Sequence, residues 1–281
     1  MERKDRTMNK SMYGEFEVSN ELLHNIPALR NRLKEKGYLF FRELLDKEAL
    51  LNIRRDMLSL AAKHDLIKEG TSLLDGIFSG RETELKKNFE TSRLYREILD
   101  LESFNAFGRN PILSLLYSGL LQAETLEHRR RIGRITFPGS FAQTTPSHQD
   151  LFYIKGTQET YTNWIPTSAC PSELGGLAVL EGSNHLNVLQ HVRMSGTGGN
   201  GIPDDVLEQS GLRWLTTDFQ LGDLLLFHSM TVHKALHNVT EDRLRVSLEY
   251  RIQRKDDEID PSSMALHMQG SFAPDAKTAA G

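Results

Sequence analysis

Apolar residues follow two different rhythms along this chain. Between 46 and 67, Leu50, Ile53, Met57, Leu60 and Ala61 recur at the spacing that places side chains on one face of an α-helix. Segments 92–101 and 112–121 also read as helical, 37–41 (Gly-Tyr-Leu-Phe-Phe) reads as a strand, and the polar stretch 68–87 as a loop. After about Arg131 the rhythm changes. Short β-type runs at 132–137, 148–154, 161–165, 176–180, 224–227 and 245–252 are separated by Gly, Pro and Asn turns. The last run alternates: Arg245, Ser247, Glu249 and Arg251 share one face, and Val246, Leu248 and Tyr250 the other. Polar residues turned inward and apolar ones outward fit a barrel with a polar interior and helices packed outside. The pattern predicts a mainly β protein with an α-helical N-terminal layer and a barrel or jelly-roll core.

The expected organisation is one domain over 21–260, with helical support at about 42–130 and the β core at about 131–253. Residues 1–20 read as a flexible arm and 261–281 as a flexible tail. Residues 192–213, rich in glycine and polar side chains, form a long insertion suited to a mobile lid. At 281 residues, 38% hydrophobic and 26% charged, the chain has the material for one large core. A formal net charge of −4 gives no reason to expect nucleic acid as a partner. The run Arg129-Arg130-Arg131 reads as a solvated helix end. No apolar run approaches the roughly 20 residues that span a bilayer, so no membrane partner is expected. Cys170 is the only cysteine, which excludes an internal disulfide and a zinc knuckle and fits a reducing, cytoplasmic location.

His148-Gln149-Asp150 carries the candidate chemistry. In a strand, side chains at i and i+2 leave the same face, so an imidazole and a carboxylate can grip one cation while Gln149 points elsewhere. A second imidazole from a distant strand would complete a two-His, one-carboxylate facial triad, suited to non-haem Fe(II) oxygen chemistry. Three downstream histidines compete for that place: His228, which ends the run 222–228, His233 just beyond, and His237. His24, His64, His128 and His267 have no comparable neighbours in the sequence.

Four segments between about 131 and 253 together resemble the phytanoyl-CoA dioxygenase family of Fe(II)- and 2-oxoglutarate-dependent oxygenases. They are Thr145-Pro146-Ser147-His148-Gln149-Asp150; Trp164-Ile165-Pro166 with Gly175-Gly176-Leu177-Ala178-Val179-Leu180-Glu181-Gly182-Ser183; Gly222 to His228; and His233 through Asn238 to Arg245 and Ser247. The resemblance implies a double-stranded β-helix, the cupin-like jelly roll, with His148, Asp150 and His233 as metal ligands. It also implies 2-oxoglutarate as cosubstrate and O2 as oxidant. The cosubstrate's distal carboxylate needs a cationic partner, for which arginine's rigid fork is suited. Arg243 and Arg245 straddle the family's usual place for that residue. Arg245 is favoured because it lies on the polar face of the alternating run, together with Ser247. Thr145, Arg134 and Trp164 are further candidates to flank the cosubstrate, and Asn238 to order the turn before Arg245. Related halogenases replace the carboxylate by a small residue, so Asp150 points to hydroxylation or another oxidation.

The implied activity oxidises an unactivated C–H bond of a small-molecule substrate and releases succinate and CO2. Two rival readings share the scaffold: a cupin-like metal-dependent lyase or isomerase, which needs no inward arginine, and a non-catalytic metabolite-binding protein. Substrate choice is expected from the N-terminal helices, the loop near 68–90 and the insertion near 192–213. With no extended basic track for a CoA phosphate, a free metabolite of a biosynthetic pathway is favoured.

Overall fold

A computed structural model describes residues 12–141 and 144–268. The first half is largely helical: α1 (Ile26–Lys36), the strand β1 (Tyr38–Phe41), α2 (Lys47–Lys63), α3 (Leu85–Asn88), α4 (Arg93–Leu99), α5 (Glu102–Phe107) and α6 (Pro111–Leu121). The second half contains β2 (Thr125–Glu127), β3 (Ile132–Thr136), α7 (Asp150–Ile154), β4 (Tyr161–Pro166), β5 (Leu177–Leu180), β6 (Val192–Arg193) and β7 (Asn200–Gly201). It ends with α8 (Asp204–Glu208), β8 (Trp214–Leu215), β9 (Leu224–His228), β10 (His233–Ala235) and β11 (Arg245–Arg254). Caps fix the helix starts: Asn25 accepts from the Ala28 amide and Asp46 from the Ala49 amide, each satisfying a donor that the first turn leaves open.

The strands form antiparallel sheets. The larger has the order β1-β9-β4-β11-β2, with β3 also paired to β11; the smaller is β10-β5-β8. The ten-residue β11 is the spine, because β4 runs along one edge while β3 and β2 share the other. Its two faces do different work. Val246, Leu248 and Tyr250 join one apolar core with Ile53, Met57, Leu94, Ile98 and Leu113 from the helices. The Tyr250 hydroxyl donates to the Phe104 carbonyl at 2.8 Å. Gly133 on β3 lets α4 approach, since a Cβ there would lie 2.7 Å from Ile98. A second apolar cluster, with Tyr38, Phe40, Trp164, Leu177, Val179, Phe219, Leu225 and Phe227, includes residues of both sheets.

Several expectations need correction. The run 148–154 is not a strand: His148 makes a single bridge and Asp150 opens a short helix. Leu151 to Ile154 is an unbroken apolar run, which suits a short helix as well as a buried strand, and the Leu151 amide is taken by the Ser229 carbonyl. Helix α1 lies outside the helical segments that the apolar spacing predicts, and α2 stops at Lys63 instead of continuing to 67. Residues 12–20 are docked: Gly14 bonds to both Trp214 and Thr216, Ser19 to Phe40, and Phe16 is buried against Tyr38 and Phe40. Residues 1–11 of the expected arm lie outside the described residues. Within the expected tail, Pro261–Met264 is a 3-10 helix and His267 is buried on the Tyr95 hydroxyl, while 269–281 lie outside the described residues. The arginine run lies between β2 and β3 rather than at a helix end, and Arg130 is buried. The insertion 192–213 holds the β6–β7 hairpin and α8, with Ile202 and Leu207 buried.

Truncating Leu248, fully buried between β11 and the helices, to alanine should cost about 2–5 kcal/mol in chemical denaturation. Leu115→Ala, at a side chain 76% exposed on α6, should change stability by less than about 0.5 kcal/mol. Burial holds the His128 imidazole down at about 4, with Gln253 as its partner. An unfolded chain binds that proton near 6.5, so protons favour unfolding as pH falls from 6.5 toward 4. His128→Gln should therefore flatten this part of the melting-temperature curve; an unchanged acid slope would show that other groups set it.

Candidate metal centre

Two backbone hydrogen bonds bring the proposed ligands together. His148 N donates to His233 O and His233 N to His148 O, both at 3.0 Å, so the segment before α7 is stitched to β10. Each imidazole is then fixed by its own backbone. Nδ1 of His148 donates to the Pro146 carbonyl at 2.8 Å, and Nδ1 of His233 to the Thr231 carbonyl at 3.0 Å. A carbonyl can only accept, so the neutral rings carry their proton on Nδ1 and present an Nε2 lone pair. These nitrogens lie 3.7 and 4.0 Å from Oδ1 of Asp150. One ligand atom from each residue falls within a 4.8 Å cluster, and all three residues are buried.

This donor set fits a divalent cation. Burial, reinforced by neighbouring His148, pushes His233 down to about 3, so the ring is neutral at physiological pH. Burial alone would raise the Asp150 carboxyl, but the Arg251 guanidinium outweighs it and holds the group well below the usual carboxylate range. Two lone pairs thus face a carboxylate in a buried pocket, a cluster that a cation stabilises. Gln149 points the other way, with its amide bonded to Met230 O and Leu189 N. His228 faces Glu159 instead, and His237 is exposed on Thr144; neither joins the cluster.

Around the cluster lies a network that the sequence did not reveal. Arg251 donates to both oxygens of Asp150, Nη2 to Oδ1 at 3.1 Å and Nε to Oδ2 at 3.2 Å, and Thr162 also donates to Oδ2. Arg251 reaches Glu249 at 3.4 Å, and Arg134 joins Glu249 to Glu90 and Thr145. The inward face of β11 had placed Arg251 here, but its partner Asp150 is too distant in sequence to be read.

Next to the histidines is a small cavity of about 60 Å³, whose lining includes Thr145, Trp164, Leu177, Phe227, Arg245 and Arg251. Arg245 is buried and donates to the Gly175 and Gly176 carbonyls and to Thr136. Its Nε and the Ser247 hydroxyl are buried with no partner among the described residues. Arg245 lines this chamber, and its orphaned donor fits a polar ligand there. Arg243 carries a half-exposed side chain, while its carbonyl accepts from Asn238, which orders the turn as expected. A larger cavity of about 650 Å³ adjoins Asp150 and includes Arg130, Tyr153, Arg193 and His267 in its wall. Thr145, Arg134 and Arg251 line both spaces, and Trp164 both lines the inner one and packs on Phe219.

Residues 33–246 match the family described as phytanoyl-CoA dioxygenase (PhyH). A 1-deoxypentalenic acid 11-beta-hydroxylase of Streptomyces arenae is 26% identical over 252 residues, which cover 86% of each chain. Among solved structures, the epimerase SnoN in complex with Fe3+, alpha ketoglutarate and nogalamycin RO aligns with a TM-score of 0.63 at 17% identity. That alignment covers 89% of this chain and 93% of the other. EctD from S. alaskensis, solved with 2-oxoglutarate and 5-hydroxyectoine, aligns at 0.59 and 14% identity, covering 91% and 84%.

Replacing His233 or Asp150 with alanine should abolish tight binding of one Fe(II) or Co(II) per chain in anaerobic titrations, while His228→Ala should leave it within a few-fold. Metal retained by the His233 variant and lost by the His228 variant would move the ligand role to His228.

Proposed function

The chain belongs to the phytanoyl-CoA dioxygenase family, and from that premise we propose that it hydroxylates an unactivated C–H bond of a small metabolite. It is a non-haem iron, 2-oxoglutarate-dependent oxygenase. The overall change balances as substrate C–H, O2 and 2-oxoglutarate giving C–OH, succinate and CO2. One observation carries the reading: two imidazole lone pairs and one carboxylate oxygen converge beside a small chamber lined by a buried arginine. Bound together, Fe(II), 2-oxoglutarate and O2 supply the oxidising power.

The protein's own residues supply position and dryness. His148, Asp150 and His233 would hold the metal, with Thr162 and Arg251 engaging the carboxylate oxygen turned away from the rings. Arg245 would receive the distal carboxylate of 2-oxoglutarate through its planar fork, and Ser247, whose hydroxyl is free, would add a donor. A buried carboxylate without such a partner would cost several kcal/mol, of the order given for an unpaired ion. Thr145 and Trp164 would line the cosubstrate chamber, while Arg134 is largely engaged by Glu90 and Glu249. In this reading the two sheets are the walls of a double-stranded β-helix, supported by the helices of the first half. The hairpin β6–β7 and the loop before α4 border the outer cavity and choose the substrate. The related 11-beta-hydroxylase supports hydroxylation over halogenation, as does the intact Asp150. A cytoplasmic location is consistent with a single, buried cysteine.

Succinate should appear only when Fe(II), 2-oxoglutarate and O2 are all supplied. The cupin-like lyase or isomerase that needs no inward arginine would turn over without 2-oxoglutarate. Arg245→Gln should raise the KM for 2-oxoglutarate about tenfold to a hundredfold, matching loss of a charge-assisted hydrogen bond of roughly 1.5–3 kcal/mol. Arg243→Gln should change it less than about threefold; the opposite ranking would make Arg243 the anchor.

A further inference from the structure

The outer cavity carries an imbalance of charge that the metal centre does not explain. Four arginines, Arg130, Arg134, Arg193 and Arg251, line it against two carboxylates, Glu90 and Asp150. Arg134 is paired with Glu90 and Glu249, and Arg251 with Asp150 and Glu249. Arg130 is different. Its side chain is buried, with the residue only 7% exposed, and it has one hydrogen bond, Nη1 to the Tyr153 carbonyl at 2.9 Å. Among the described residues it makes no ion pair. Burial, and then the charge of Arg251, lower its pKa, the signature of a cation held away from water and near another cation. Arg251 contributes a second vacancy in hydrogen bonding: its Nη1 is buried without a partner.

We infer that this cavity is a carboxylate-binding site, in which Arg130 and the Nη1 of Arg251 hold the acid group of an otherwise apolar substrate. Asp150 and Glu90 act on Arg130 only from beyond ion-pair distance; a desolvated guanidinium with no carboxylate in contact is costly, and a planar carboxylate offers the two acceptors that its fork fits. The rest of the wall fixes the remainder of the molecule. Ile132, Ile154 and Met268 present apolar surface, and the tyrosine ring of Tyr153 lies beside them. A volume of about 650 Å³ admits a small carbocyclic or medium-chain acid. Because Arg251 also bonds Asp150, the acid group would sit at the metal end of the cavity and set which carbon faces the reacting centre. This assignment rests on the oxygenase reading for its consequence, but its binding chemistry stands apart from it.

The test uses two acids, cyclohexanecarboxylate and decanoate, and their methyl esters, titrated calorimetrically into the anaerobic protein with Fe(II) and 2-oxoglutarate. The acids should bind at least about tenfold more tightly than the esters. Arg130→Gln should erase that gap while leaving the dissociation constant for 2-oxoglutarate within about twofold, and Arg245→Gln should do the reverse. Arg130→Lys, which keeps the charge and loses the fork, should keep part of the gap, and it serves as the readout if the glutamine variant folds poorly. Equal binding of acids and esters by the wild-type protein would overturn the inference, as would a gap that persists in a folded Arg130→Gln protein. So would a gap that disappears in Arg245→Gln alone, since the acids would then be entering the cosubstrate chamber. Failure of the oxygenase reading has a separate mark, absence of 2-oxoglutarate binding, and the acid–ester comparison can still be read without cosubstrate.

Discussion

The pairing of His148 with His233 holds the rest of the site in place. Two reciprocal backbone hydrogen bonds join a segment between sheets to a strand of the smaller sheet, and both imidazoles then lean toward the same point. Neither ring could be held there by its own segment alone. The three-residue β10 gains its other edge from β5, where His233 stands opposite Val179. The glycine-rich turn before β5 lies against the stretch after β10: a Cβ on Gly175 would sit 2.4 Å from the Leu236 carbonyl, and its φ of 76° is one that a side chain disfavours. The turn therefore has a mechanical task, which is to let two loops approach closely beside the proposed metal ligands. Its carbonyls have another, since the Gly175 and Gly176 oxygens accept from Arg245.

Charge is arranged around that point in a graded way. Asp150 is fully buried, yet it stays ionised because the Arg251 guanidinium outweighs the cost of burial. Glu249 is shared by Arg251 and Arg134, and Glu90 completes the chain at the cavity wall. Alternating signs across buried groups let each charge serve two neighbours, so the network keeps its members oriented without water. An interior of this kind is suited to anionic ligands, because any further negative group enters where guanidinium donors are still free. The same network limits which arginine can act: Arg134 is committed to carboxylates, whereas Arg245 binds only neutral oxygens and keeps its full charge for a ligand.

The legible part of this fold was the part governed by short periods. Alternation along β11 separated Arg245, Ser247, Glu249 and Arg251 from Val246, Leu248 and Tyr250, and the two sets do lie on opposite faces of the sheet. The helical period located α2, α4 and α6 to within a few residues. What failed had either no period or a partner far away. Leu151 to Ile154 is apolar throughout, so strand and helix could not be separated, and tertiary bonding to Ser229 decided for the helix. Phe16 lies in a polar stretch with no apolar period, and only the ring cluster with Tyr38, Phe40 and Phe219 gives it a place. Arg130 reads as solvated because its sequence neighbours are charged; in the fold its amide donates to the Ser263 carbonyl after β11 and its guanidinium to the Tyr153 carbonyl of α7.

That last error bears on how such scaffolds acquire specificity. The proposed ligands lie on β10, at the start of α7 and in the segment just before it, which is bridged to β10. The wall of the outer cavity adds to residues of β3, α7 and β11 several pieces with no common pattern: the 88–91 stretch, the β2–β3 link, the β6–β7 hairpin and the segment at 267–268. Each piece contributes one or two side chains, so substrate preference can change by single replacements without disturbing the strands. Arg130 sits where these two regimes meet. It is anchored on the Tyr153 carbonyl of the helix that begins with Asp150, so the residue that would read the substrate is referenced to the element that positions the metal carboxylate. A shift of that helix would move both together, which preserves the distance between recognition and chemistry even if the rest of the wall adjusts.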